Sequence, residues 1–261
     1  MTEEKEKQCV PFSTLIAKSM ALRIRKDVKA SLKESILISN DKWEERNATF
    51  GLFEKKEIDL GELIGSGGFS DVYEVTGFSM ISNTARNWSE QQHLDRKIMK
   101  ANAIIIDDEN EKKSKYVVKY LKMKLMGSGS KNFCMRASDL VLEAQYLSSL
   151  HHENIIKLRG WAAAGIESYS NGMHNSYFLI LDRLDDILDN KIKSWKTMMM
   201  NHADLSKSIT RGKNTATTSA KNDFLLTRIR VARQIATALR YLHSKSILFR
   251  DLKPSNVGFD R

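Results

Sequence analysis

The sequence predicts an α+β fold, rich in strands around one helix over its first two thirds and helical afterwards. Three observations carry this. Apolar runs of strand length recur at residues 58–64, 72–75, 115–121 and 177–181. A helical spacing at Leu140, Val141, Ala144 and Leu147 lies among them, and a longer one runs through Leu225, Ile229, Ala232, Ile235, Ala236, Leu239 and Leu242. A glycine cluster at 65–68 sits between two strands rather than between a strand and a helix.

The elements follow along the chain. Residues 1–10 are polar and read as disordered. Residues 11–37 have helical periodicity at Leu15, Ala21, Leu22, Val28, Leu32 and Ile36, and residues 18–33 set Lys18, Arg23, Arg25, Lys26, Lys29 and Lys33 against Asp27 alone. This basic helix either lies on a membrane surface or partner, or packs on the main domain; the missing aromatic anchor favours packing. Ile58–Ile64, the turn Gly65-Ser66-Gly67-Gly68 and Val72–Val75 form a hairpin. Residues 79–114 fit no regular element and read as an insertion. Lys115–Leu121 is a strand, Gly127–Ser130 a loop, and Ser138–Leu150 a helix capped by Ser138 or Asp139. Ile155–Leu158 and Trp161–Ala164 read as two strands and Tyr177–Leu181 as a buried one. Leu184–Trp195 is a short helix, 196–222 a mobile insertion, and Asp223–Ser244 a long helix with Asp223 as N-cap. Ile247–Arg261 is irregular. The division is an extension 1–56, a β-rich part 57–184 and a helical part 185–261.

Composition narrows the function classes. In 261 residues, 41 % are apolar and 28 % charged, with 2 Pro and 13 Gly, which excludes collagen-like and Pro-rich chains. No run reaches the length of a membrane span, and the N-terminus has neither signal-peptide nor transit-peptide character. Two cysteines, Cys9 and Cys134, make no disulfide framework, so a reducing cytoplasmic or nuclear setting is expected. The 42 Lys and Arg against 32 Asp and Glu give a net charge of +10. Such a balance suits anionic partners, but the basic stretches lack interleaved aromatics, and no DNA partner is expected. A nucleic-acid or membrane-surface binder would rest on charge alone.

Chemistry concentrates at three places. Glycines at 65, 67 and 68 let a backbone approach phosphate oxygens, since no Cβ intervenes. Lys119 stands in an apolar strand and Glu143 in an apolar-patterned helix; together they can form an ion pair that aims the lysine at nucleotide phosphates. The stretch Phe249-Arg250-Asp251-Leu252-Lys253-Pro254-Ser255-Asn256 spaces a carboxylate able to accept a hydroxyl proton, a lysine able to neutralise a phosphoryl group and an amide oxygen able to ligate Mg²⁺.

These residues, with the run His152-Glu153-Asn154-Ile155-Ile156-Lys157-Leu158, resemble the eukaryotic protein kinase family from about Glu57 to Arg261. Lys253 makes the likeness one to the serine/threonine type. The resemblance implies a β-rich small lobe with one helix, then the start of a helical large lobe. It implies ATP and Mg²⁺ as cofactors and a protein substrate, with a regulatory protein partner allowed. Ile64, Gly65, Ser66, Gly67, Gly68 and Val72 would cover the nucleotide, Lys119 and Glu143 would serve its phosphates, and adenine would meet Asp182 to Leu184 behind a Leu181 gatekeeper. Asp251 would be the base, Lys253 its partner, Asn256 a metal ligand, and Arg250 the contact to a phosphorylated activation loop.

The sequence also departs from the family. Ser70 stands at the third glycine and Phe249 where His or Tyr is usual, and insertions lengthen two spacings. No Asp-Phe-Gly occurs before Arg261. The expectation is therefore a kinase domain cut after the catalytic loop and inactive as such; the alternative is a non-catalytic, pseudokinase-like binding protein.

Overall fold

The computed structural model describes residues 10–35, 50–80, 88–106, 110–208 and 215–260, with backbone alone at 201–208 and 215–223. The expected disorder of residues 1–9, Cys9, and the middle of the second insertion at 209–214 lie outside the described residues. The chain forms two compact units, Met1–His151 with Ile156–Arg183, and His152–Ile155 with Leu184–Arg261.

The first unit is built on a six-stranded sheet. Its strands are β1 (Gly51–Phe53), β2 (Ile58–Ser66), β3 (Ser70–Phe78), β6 (Tyr116–Leu121), β7 (Leu158–Ala162) and β8 (Phe178–Asp182). They lie in the order β1-β7-β8-β6-β3-β2, with β1 parallel to β7 and every other pair antiparallel. The β2–β3 hairpin is the expected one. Gly65 pairs with Val72 and Ser66 with Asp71, and the Gly67 N–H donates to Ser70 O at 2.9 Å to close the turn. Continuous apolar runs sit in the middle of the sheet: Val117, Val118, Leu179 and Ile180 are buried.

Several sequence expectations are corrected. The extension does not end at residue 56, because β1 joins the sheet, Gly51 to Phe53 pairing with Gly160 to Ala162. The supposed insertion is regular from residue 90: helix α2 (Glu90–Ala101) and a hairpin of β4 (Ile104–Ile106) with β5 (Lys112–Ser114). Residues 155–164 give one strand, not two, because the chain turns through His152–Ile155 first. The helix expected from Ser138 is α3 (Ser130–Leu147); it begins after Gly129, whose φ of +86° turns the chain, so Ser138 and Asp139 lie inside it rather than at its cap.

The N-terminal helix α1 (Thr14–Lys33) takes the packed reading. Its buried stripe, Ala17, Met20, Ala21, Ile24, Val28 and Leu32, lies against α3 and a 3₁₀ segment, Gly165–Asn171. Helix α2 opens on a capping box: the Gln92 N–H donates to Ser89 Oγ, and the Ser89 N–H to Gln92 Oε1 at 2.9 Å. It is fastened by a buried ion pair. Arg96 is 3 % and Glu57 1 % exposed, with Arg96 Nη2 at 2.7 Å from Glu57 Oε1. The guanidinium also lies 3.8 Å over the Trp88 ring and donates to Leu52 O. Glu57 Oε2 in turn accepts from the Glu54 N–H at 2.8 Å, so the carboxylate is satisfied on both oxygens.

In the second unit, β9 (Asp186–Ile187) pairs with β10 (Gly258–Phe259), so the tail expected to be irregular contains a strand. Helix α4 (Leu188–Ser208) starts later and runs further than the short helix expected, into the supposed mobile insertion. Helix α5 (Thr215–Ser244) begins eight residues before Asp223, which is thus interior rather than a cap. The turn at 152–155 packs on α5: the Asn154 N–H donates to His152 Nδ1 at 3.0 Å, Asn154 Nδ2 donates to Thr237 Oγ1 at 3.3 Å, and the His152 ring sits 5.0 Å from that of Tyr241.

The buried pair yields the first prediction. Arg96→Met leaves the Glu57 charge unpaired in the interior and should cost about 3–5 kcal/mol of stability in urea unfolding, whereas Arg96→Met combined with Glu57→Met should recover much of that loss.

Candidate functional site

In the first unit the site is organised by β6. Alternation puts Val117, Lys119 and Leu121 on one face of the strand. Cross-strand register sets Val72 of β3 and Leu179 of β8 directly beside Lys119, and Leu181 beside Val117. Val72, Lys119 and the expected gatekeeper Leu181 therefore share one face of the sheet. Lys119 Nζ donates to both oxygens of Glu143 at 2.7 Å, and the two side chains are 22 % and 36 % exposed. A lysine among buried apolar residues needs a counter-charge, and α3 supplies it at a separation of 24 residues.

The glycine hairpin next to it is latched from two sides. The Lys122 N–H donates to Phe69 O at 2.9 Å, and its ammonium contacts Asp71 at 3.3 Å and Ser66 Oγ. Arg136 of α3 lies 3.6 Å over the Phe69 ring. At Gly67 an added Cβ would meet nothing closer than Ser70 O at 3.6 Å, and at Gly68 nothing within 4 Å. The fold itself thus leaves room above these glycines. Ile64 is exposed.

At the end of β8, Asp182 is committed within the protein. Arg159 Nε and Nη2 each donate to its carboxylate at 2.7 Å, and its N–H donates to Lys157 O at 3.2 Å. This bidentate hydrogen bonding lifts Arg159 above its ordinary pKa against the opposing effect of burial. The Asp182 side chain thus braces the strand end. Arg183 donates to Ser114 Oγ at 2.9 Å and pairs with Glu74. Burial raises the Glu74 pKa, and the hydrogen bonds from Ser114 and Arg183 outweigh it, so the group sits below its ordinary value.

In the second unit, Asp251, Lys253 and Asn256 come together within one short loop. Lys253 Nζ donates to Asp251 Oδ2 at 2.8 Å, and Asn256 Nδ2 donates to the same oxygen at 2.9 Å and to Asp251 O at 2.8 Å. Pro254–Asn256 form a 3₁₀ turn that brings position 256 back over 251. The hydrogen bonds from Lys253 and then Asn256 hold the Asp251 carboxyl below its ordinary pKa. Asp251 is exposed, with its second oxygen open to solvent chemistry. Arg250 is exposed beside it, and Leu184 packs against Gly258, where a Cβ would come within 2.3 Å of the leucine side chain.

The donor set suits magnesium. Among the described residues no three His, Cys, Asp or Glu gather as a metal centre. Mg²⁺ instead takes one or two protein oxygens and completes its shell with water and substrate phosphates. With its amide nitrogen turned to Asp251, Asn256 keeps its oxygen for such a role. Among the described helices, none is long and apolar enough to cross a membrane.

A sheet with a glycine hairpin, a strand lysine paired to a helix glutamate, and a loop that gathers Asp, Lys and Asn define a protein kinase-like domain. A model of the protein kinase domain family matches residues 103–261, more than half of the sequence, and the chain belongs to that family. The glycine hairpin lies before the matched stretch. Two curated relatives are each named a dual serine/threonine and tyrosine protein kinase: one from Gallus gallus, 29 % identical, and one from Danio rerio, 30 % identical, each over 125 residues and 48 % of this chain. The aligned part is 10 % and 11 % of those proteins, so the chain spans about a tenth of their length.

Residues that sequence reading missed are Arg159, Arg183, Lys122, Arg136 and Arg96. Each meets its partner across strands or elements, where spacing gives no signal. The Ser89-to-Gln92 capping box, by contrast, was readable as an N-terminus of α2.

The Asp251 cluster makes a titration prediction. Lys253 and Asn256 favour the charged carboxylate, so Lys253→Met should move the Asp251 titration upward toward the ordinary aspartate range, as followed by carboxyl ¹³C NMR. The contribution of this loop to stability is present above the unfolded aspartate pKa and is lost as pH falls through the lowered folded value.

Proposed function

We propose that this chain binds MgATP and serves transfer of its γ-phosphoryl group to protein hydroxyls, as a protein kinase domain. The observation that carries the reading is the Asp251–Lys253–Asn256 cluster: one ionised carboxylate held by an ammonium and an amide inside a loop of a kinase-family domain. Asp251 accepts the proton of the attacking hydroxyl, Lys253 neutralises charge on the transferring group, and Lys119, oriented by Glu143, meets the phosphates. Magnesium, when bound, would supply positive charge at the phosphates, and Asn256 is the side chain that would hold it. Lys253 supports serine and threonine as acceptors, although the relatives' names add tyrosine. The 261 residues contain no Asp-Phe-Gly sequence, so the family's other magnesium-holding aspartate is not among them. By themselves they are expected to bind nucleotide better than they turn it over. The same chemistry argues for a protein substrate, and the two cysteines of the chain support a reducing cytoplasmic or nuclear setting.

Two measurements test this. MgATP at about a hundred times its Kd should stabilise the chain by about 2.7 kcal/mol. Lys119→Met should abolish the shift and Asp251→Asn should keep it. No stabilisation by MgATP in the unaltered chain would refute the reading. Gly67→Ala, which the hairpin accommodates, should leave unfolding within about 0.5 kcal/mol of the parent yet weaken MgATP binding severalfold, because the new methyl occupies the approach to the phosphates.

A further inference from the structure

We propose that α1 is a positioning element for the Lys119–Glu143 pair, holding α3 in the placement that closes it. The pair is partly exposed, at 22 % and 36 %, and an ion pair open to solvent to that extent is too weak to fix a helix by itself. Its geometry must come from the packing of α3. One side of α3 meets the sheet, where it packs on β6 and β7. Another meets α1. Cys134 of α3 points its thiol at Met20 O, 3.9 Å away, and Phe133 of α3 takes the Phe12 ring edge-on at 5.5 Å.

The helix α1 is itself fastened at both ends of this contact. Ahead of it, the Phe12 N–H donates to Gly172 O at 3.1 Å. Gly172 has φ +79°, and a Cβ there would come within 2.5 Å of Phe12 O, so the close approach demands glycine on two counts. Further along, Arg25 pairs with Glu167 of the 3₁₀ segment at 2.5 Å. Ile24, with no exposed surface, fills the interface beside it. Residues 14–33 precede the stretch matched by the family, so this brace is an addition outside the matched domain. The proposal concerns the site read above as that of a kinase, but its direct readout needs no nucleotide.

The experiment measures the acylation rate of the Lys119 amine by mass spectrometry on the nucleotide-free 261-residue chain. In the parent, the pair with Glu143 shields the amine. Glu143→Gln and Ile24→Ala should each raise the rate about fivefold, and Arg25→Ala about twofold. Arg25→Lys should restore most of the protection. In the Glu143→Gln background, Ile24→Ala and Arg25→Ala should add nothing, because the contact they act on is already gone. Arg25 and Glu167 lie at the surface, so Arg25→Ala reports even where Ile24→Ala folds poorly. Equal rates in the parent and both α1 variants would overturn the proposal, as would effects that add in full to that of Glu143→Gln. A chain that shows the non-additive pattern but does not bind MgATP supports the positioning role and removes the kinase reading instead.

Discussion

Lys119 sets the terms for the first unit. It stands in a strand whose other five residues are buried, on the face it shares with Val117 and Leu121, between Val72 and Leu179. An ammonium there is costly without an anion within reach. The anion is Glu143, and it arrives on a helix, so the sheet and α3 can approach one another in few ways that satisfy both the charge and the apolar contacts around it. Phe133, Ala137, Leu140 and Ala144 are buried on α3, and Glu143 of the same helix accepts two 2.7 Å hydrogen bonds from Lys119. Burial supplies the energy that places the helix, and the ion pair closes where that packing brings the two charges together.

The elements outside that pair act as a frame. β1 extends the sheet in parallel beside β7, and the Glu57–Arg96 pair fixes α2 against it. Such an ion pair adds little net stability over an apolar substitute, but it admits one partner geometry. Arg159 on Asp182 and Arg183 on Glu74 do the same at the end of β8, each with a carboxylate on another strand. Four arginines and lysines of the +10 chain are thus spent inside the fold on specific acids. Each of these cations is matched by one acid, so the pairs contribute nothing to the net +10, which the remaining cations carry.

Legibility from the sequence followed the range of the interactions. The Asp251 loop is local: positions 251, 253 and 256 meet because a proline-started 3₁₀ turn folds five residues back, so spacing alone displays the cluster. The β2–β3 hairpin is local too. Lys119 and Glu143 were legible for another reason, as charges standing inside apolar patterns. The parts that were misread are those where polarity hides order. Residues 90–101 are mostly polar or charged, and what makes them helical is a capping box and one inward arginine whose acid lies 39 residues earlier. Gly127-Ser128-Gly129-Ser130 reads as a loop, yet the positive φ of Gly129 starts α3 one residue later. Asp182 to Leu184 are expected to meet adenine as a stretch of chain, and the partner of the Asp182 side chain, Arg159 on the neighbouring strand, gives no signal in the spacing.

The two halves of the chemistry are prepared by different means, and this bears on how each can respond to change. Neighbours two and five residues away hold the Asp251 carboxyl below its ordinary pKa, while Val257 O, just after the turn, accepts from the Leu188 N–H at 2.8 Å. Glu143 depends on where a whole helix lies, and that placement draws on the sheet, on the 3₁₀ segment and on α1. The side-chain contacts of Asp251 are therefore local in sequence, whereas those of Lys119 run through α3 to distant parts of the chain. In the positioning role proposed for α1, its influence acts on Lys119 through the placement of α3.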